Sequence, residues 1–359
     1  MKKASSTTKT VTRAASLRRH FIIAGAALSA ASASAAESKV AAPTAREIRQ
    51  ASGPTDGFDV RSVRFKNGAI QMAGNLYVPK GFDPSRKYAA VVVLHPAGGV
   101  KEQTAGLYAQ RLASQGFVTL AYDASHQGES GGEPRFLESP EARVADTRSA
   151  VDFLTTLGYV DRNRIGALGI CAGSGYAVKA TMLDRRIKAI ATVSAFDIGT
   201  GFRKGWVGNV PLAEQLATLE KVSAQRTAEA GGGEPIYVNY VPETVDASTH
   251  RDMREAHAYY RTPAGHMHPN SQNKMLFTSL DKIYAFTGFD QVETLLTQPL
   301  LVVAGSEAGS LWHSRDLFAK KKGDKELFVI KGATHMDLYA GEHVDQALQK
   351  LTPFYKQKL

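Results

Sequence analysis

From about residue 58 onward, apolar positions recur in two alternating rhythms. Short β-rich runs at 61–65 and 69–78 flank Lys66-Asn67-Gly68, which predicts a hairpin. Residues 89–94 (AAVVVL) are continuously apolar, the pattern of a strand buried on both faces. Further strands are expected at 117–122, 164–170, 189–194, 300–304 and 327–330. Helical spacing fills the gaps: 102–115, then 143–157 with Val144, Val151 and Leu154 on one face, then a helix from Gly173. Strands alternating with helices imply an α/β domain with a mostly parallel sheet covered on both faces. One interval breaks the rhythm. Between Phe196 and Gln298 the amphipathic patterns 212–229 and 251–260 flank Gly231-Gly232-Gly233, with no buried strand between them. The expected organisation is a core at 58–197 and 297–359, with a helical cap inserted at 198–296.

The chain carries a formal charge of +10, which raises nucleic-acid binding as a class. Six of those ten surplus charges fall in residues 1–36 with no acid among them, leaving a balance too mild for a polyanion partner. That leader has basic residues up to Arg18-Arg19, then an apolar small-residue run from Phe21 to about Ala35. It reads as an export signal resembling the twin-arginine type, and places the protein in the periplasm or outside the cell. Residues 37–57 read as a polar connecting segment. No later stretch is apolar for the ~20 residues a membrane-spanning helix needs.

The single cysteine stands in "GALGICAGSGYA" (166–177), between Gly169 and Gly173. A Gly-x-nucleophile-x-Gly run between a strand and a helix is a nucleophile elbow, whose turn leaves no room for side chains two residues either side. A helix N-terminus favours a thiolate, so a lowered Cys171 pKa is expected. The alternative reading is a small core cysteine in a Gly-rich turn. Together with "HPAGGVKEQ" (95–103), "DASHQGESGGEPR" (123–135), "YYRTPAGH" (259–266) and "GATHMDLY" (332–339), the elbow resembles the α/β-hydrolases. Within them it is similar to the dienelactone hydrolases and a polyketide-transferase-like branch.

The resemblance implies the α/β-hydrolase fold and the order nucleophile, acid, histidine. His335, just past the last expected strand, fits the base better than His343, which falls in a helix. The acid is open. Many relatives carry an aspartate where Ala308 and Gly309 stand here. Glu307 is the carboxylate of that loop, Asp197 is its rival, and Asp337 lies too close to His335 in sequence. The oxyanion hole is expected from the N–H groups of Ala172 and, by resemblance, Ala97, while His95 holds its loop. Tyr260 and Arg261 are expected to face the pocket as substrate-binding residues, the alternative being that the aromatics pack the cap's own core. His266 and His268 lack the partners of a metal site. No motif asks for a cofactor.

A thiol nucleophile narrows the reaction, because the group of lower pKa leaves a tetrahedral intermediate faster. Activated esters, lactones and thioesters, small molecules all, are therefore favoured over alkyl esters. Three readings follow: a hydrolase acting through an S-acyl enzyme, an acyltransferase passing that acyl group to an alcohol, and a non-catalytic binding protein.

Overall fold

The computed structural model describes residues 57–359; the expected leader and most of the connecting segment lie outside them. Among these residues no helix is long and apolar enough to cross a membrane. The expected hairpin forms from β1 (Phe58–Asn67) and β2 (Ile70–Pro79), antiparallel in register, turning through Gly68 at a left-handed φ of 54°. It sits at one edge of an eight-stranded sheet. Next in sequence come β3 (Tyr88–Leu94), β4 (Val118–Tyr122), β5 (Val160–Ile170) and β6 (Ile187–Val193). A two-stranded antiparallel ribbon of β7 (Tyr237–Val238) and β8 (Met275–Leu276) follows, then β9 (Leu300–Gly305) and β10 (Lys325–Ile330). The sheet order is β1-β2-β4-β3-β5-β6-β9-β10, antiparallel as far as β4 and parallel beyond it. This is the α/β-hydrolase fold. β3 lies between β4 and β5, so the chain reverses direction across the sheet there. That switch point opens a crevice at the carboxyl ends of the strands.

Burial explains why the central runs were legible. Every residue of β3 is buried, as are those of β4 and β9, leaving no polar face to set a two-residue alternation. Two boundaries move. The helix Pro140–Thr156 starts three residues earlier than its apolar spacing indicates, because Ser139 accepts a bond from the Ala142 N–H and Pro140 opens the first turn. β5 begins at Val160, where it pairs with Tyr88 across a register shift.

The interval after β6 holds the helices Ile198–Lys204, Leu212–Ala230, Arg251–Arg261, Leu280–Ala285 and Val292–Leu295. The β7–β8 ribbon inside it was not expected; strands of two residues carry no readable period. Helix Leu212–Ala230 buries only Thr218 and Val222, whereas helix Arg251–Arg261 buries Asp252, Met253, Ala256, Tyr259 and Tyr260. The second helix is the one that meets the crevice.

Candidate active site

Cys171 stands where β5 ends and helix Ala172–Leu183 begins, with φ 52° and ψ −124°. A non-glycine residue with positive φ is strained, and here the surroundings hold it in place. Its N–H donates to Val193 O at 3.0 Å, and its carbonyl accepts from Ser174 N at 2.9 Å and Phe196 N at 3.1 Å. The flanking glycines are sterically required. A Cβ on Gly169 would lie 2.5 Å from Gly173 O and Ser174 Cα, and one on Gly173 would lie 2.7 Å from Leu94 O. All of these are backbone atoms that cannot give way. Gly173→Ala is accordingly expected to cost about 2–4 kcal/mol, read as a lower urea midpoint with unchanged m-value.

Beside the Cys171 thiol lie the backbone N–H groups of Ala172 and Ala97 and the hydroxyl of Tyr339, donors that each favour the thiolate. The two amides come from the elbow and from the loop after β3, the pair expected for an oxyanion hole. One outcome differs from the sequence reading. Burial pushes the thiol up to about 11, overriding those donors and the Arg143 charge, which act downward. At neutral pH Cys171 therefore rests as a thiol.

His335 follows β10 and is 1% exposed. Its carbonyl accepts from Ser194 Oγ at 3.0 Å, which fixes the loop against β6. Nε2 lies 3.2 Å from Tyr339 Oη and Nδ1 lies 2.6 Å from Ser310 Oγ. Trp206 packs its ring edge-on at 4.8 Å between centroids. Burial pulls the imidazole down to about 4, opposed by the charge of Asp252, so it is neutral and able to accept a proton. Tyr339 touches both groups. With Nδ1–H donating to Ser310, its hydroxyl can take the thiol proton while giving its own to Nε2.

The expected acids are not brought to this ring. The Glu307 side chain is 54% exposed, its carboxylate 3.9 Å from Arg251. The loop after β9 turns its backbone inward, Glu307 N bonding Ala333 O at 2.9 Å, and leaves the side chain outside. Asp197 is spent capping helix Ile198–Lys204, accepting from Gly199 N and Thr200 Oγ1. Asp337 accepts from Thr334 N within its own turn. Of the two expected substrate-binding residues, Tyr260 reaches the site, its buried ring edge-on to that of Tyr339 at 6.3 Å between centroids. Arg261 instead forks onto Glu243 Oε2 at 3.1 and 3.2 Å. His95 has the structural part expected of it, its Nε2 accepting from Ala124 N at 3.1 Å.

Sequence reasoning missed four residues at His335: Tyr339, Ser310, Trp206 and Asp252. Tyr339 closes the quoted "GATHMDLY" run four residues after the histidine, which was the one available signal. It also missed the support beneath the oxyanion loop. Buried Arg143 donates to His95 O and pairs with Glu138, which accepts from Gln127, Tyr176 and Tyr240. Tyr240, from the inserted segment, lies against Gly98, where a Cβ would come within 2.5 Å of its ring.

Comparison with known proteins agrees with this architecture. The uncharacterized protein YcjY of Escherichia coli K12 is 46% identical over 295 residues, 82% of this chain and 96% of that protein. The crystal structure of the hypothetical protein PA2218 from Pseudomonas aeruginosa superposes with a TM-score of 0.78 at 36% identity, covering 84% of this chain and 94% of that one. The acyltransferase drtE of Aspergillus calidoustus is 25% identical over 82% of this chain and 94% of its own length. The profile of the dienelactone hydrolase family matches residues 72–240, a span that includes the oxyanion loop, the elbow and Tyr240. The chain belongs to the dienelactone hydrolase family.

Proposed function

We propose that the protein hydrolyses an activated carboxylic ester, lactone or thioester through an acyl group carried on Cys171. The observation that carries this reading is the thiol itself, held at a strained elbow with the Ala97 and Ala172 N–H groups beside it. Those donors suit the oxyanion of a tetrahedral intermediate; one such donor is worth about 3–4 kcal/mol of transition-state stabilisation. Attack forms the bond from Sγ to the acyl carbon as the thiol proton passes to His335. The imidazolium then protonates the departing alkoxide or thiolate. Water, deprotonated by the same imidazole, releases the acid and restores the thiol.

Because Cys171 rests protonated, nucleophile formation accompanies attack, and substrates with good leaving groups gain most. A panel of p-nitrophenyl ester, enol lactone, thioester and ethyl ester tests this. The first three are expected to turn over at least ~10-fold faster than the ethyl ester, by leaving-group pKa. Equal rates across the panel would remove the S-acyl step. A second reading, transfer of the acyl group to an alcohol, is favoured by the likeness to the acyltransferase drtE. Adding an alcohol acceptor to the same panel distinguishes the two, since transfer yields the new ester in place of the acid.

We also propose export, on the strength of the leader alone. Arg18→Lys with Arg19→Lys should retain the precursor inside the cell, judged by fractionation; normal export of that variant would exclude the twin-arginine route.

A further inference from the structure

We infer that Asp252, supplied by the inserted segment, is the carboxylate that steadies His335 when it becomes an imidazolium. This rests on the reading of Cys171 and His335 above. Asp252 lies in the first turn of helix Arg251–Arg261 and is fully buried. Its Oδ2 accepts from Trp206 Nε1 at 2.6 Å and from Gly309 N at 2.8 Å. Both donors lead to the imidazole. The Trp206 ring packs on His335, and Gly309 precedes Ser310, whose Oγ meets His335 Nδ1.

Gly309 is what admits the carboxylate: a Cβ there would sit 3.0 Å from Asp252 Oδ2 and 2.7 Å from Trp206 Nε1. The other oxygen, Oδ1, is buried with no hydrogen-bond partner. A buried carboxylate held by two neutral donors has an unmet demand for a cation. Arg251, the neighbouring cation, is turned to Glu255 and Glu307. The cation that catalysis generates in this pocket is the His335 imidazolium. The Asp252 charge acts on His335 in the required direction, toward higher basicity. The other titratable groups in this neighbourhood are His313, Tyr339, Cys171 and Glu255. Burial holds the first three neutral, and Glu255 faces Arg251 at 3.9 Å. Asp252 is thus a positioning residue, and the inserted segment completes the machinery instead of only roofing it.

The test uses the full-length protein, p-nitrophenyl acetate, and the variants Asp252→Asn, Glu307→Gln and Cys171→Ala. Asparagine can still accept from Trp206 and Gly309, so the fold contacts remain while the charge goes. Expected is a fall in kcat of at least ~10-fold with KM little changed, by analogy with other orienting carboxylates. The acid limb of kcat/KM should also move to lower pH, whereas Glu307→Gln matches wild type in both. Labelled-histidine NMR gives a readout without substrate: His335 should titrate at lower pH in the Asn variant. If Asn does not fold, Asp252→Gln and Asp252→Glu, matched in size and differing in charge, replace it, with Glu at least ~10-fold faster. A wild-type rate and unmoved His335 titration in the Asn variant, or equal Gln and Glu rates, would overturn the inference. Should Cys171→Ala stay active, the S-acyl reading fails instead.

Discussion

Cys171→Ala is expected to reduce turnover of the best activated ester by at least ~10³-fold while leaving the fold intact, as removal of a covalent nucleophile does elsewhere. The substitution deletes only a sulfur at the tip of the elbow. The Val193, Ser174 and Phe196 bonds that hold the turn all use the backbone of residue 171 and stay in place. The melting temperature should therefore move by only a few degrees. Mass spectrometry after quenching should find the acyl group on the Cys171 peptide of the wild type and nothing on the alanine variant. Cys171→Ser should also fold, but its preference should shift toward ordinary esters, since a serine alkoxide is no better a leaving group than theirs. Wild-type turnover by the alanine variant would end the nucleophile assignment and leave a binding protein as the reading to pursue.

His335→Gln carries the second large effect, a loss of roughly 10²–10⁴-fold in kcat/KM, the range for removing a positioned general base. Its pH signature follows from the folded-state values. His335 acts as base only when neutral, and its pKa is held down to about 4, so wild-type activity should be flat across neutral pH and fall on acidification through about 4. The variant has no such limb. Its residual rate should climb with pH toward about 11 as Cys171 ionises unaided. Acid unfolding must be separated from this by near-UV circular dichroism. A buried imidazole whose pKa is depressed stabilises the fold above its unfolded value of ~6.5, and that stability is lost as pH falls through the folded value. His95 and His313 are depressed by burial in the same sense, so the fold itself weakens below ~6.5. An acid limb retained in His335→Gln would show that another group titrates.

Composition and period reached far into the fold because the central sheet is buried on both faces. A run such as 89–94, too short for a helix and without polar alternation, reads as an interior strand. The glycines around Cys171 located the elbow for a similar reason: their requirement is local and steric, set within five residues. His335 was chosen for its position just past a strand, and Ala97 by resemblance. Neither guide fixed the acid. Which carboxylate is buried near His335 depends on how distant segments pack, and the burial of one side chain is not a property of its neighbours in sequence. Glu307 occupies the expected loop and faces solvent; Asp252 is more than fifty positions away on an inserted helix and is buried against Gly309. The ionisation of the thiol was decided in the same way. Its place at a helix N-terminus is local and visible in the sequence, and lowers the pKa. The desolvation that outweighs it comes from enclosure by residues such as Tyr339 and Tyr260, which meet only when the chain closes over the crevice. The sequence by itself determined the sheet and the elbow, set by contacts within one or two elements. Tertiary structure alone decided the charge states and the company of His335, because electrostatics in a buried site sums over every group that packing brings near.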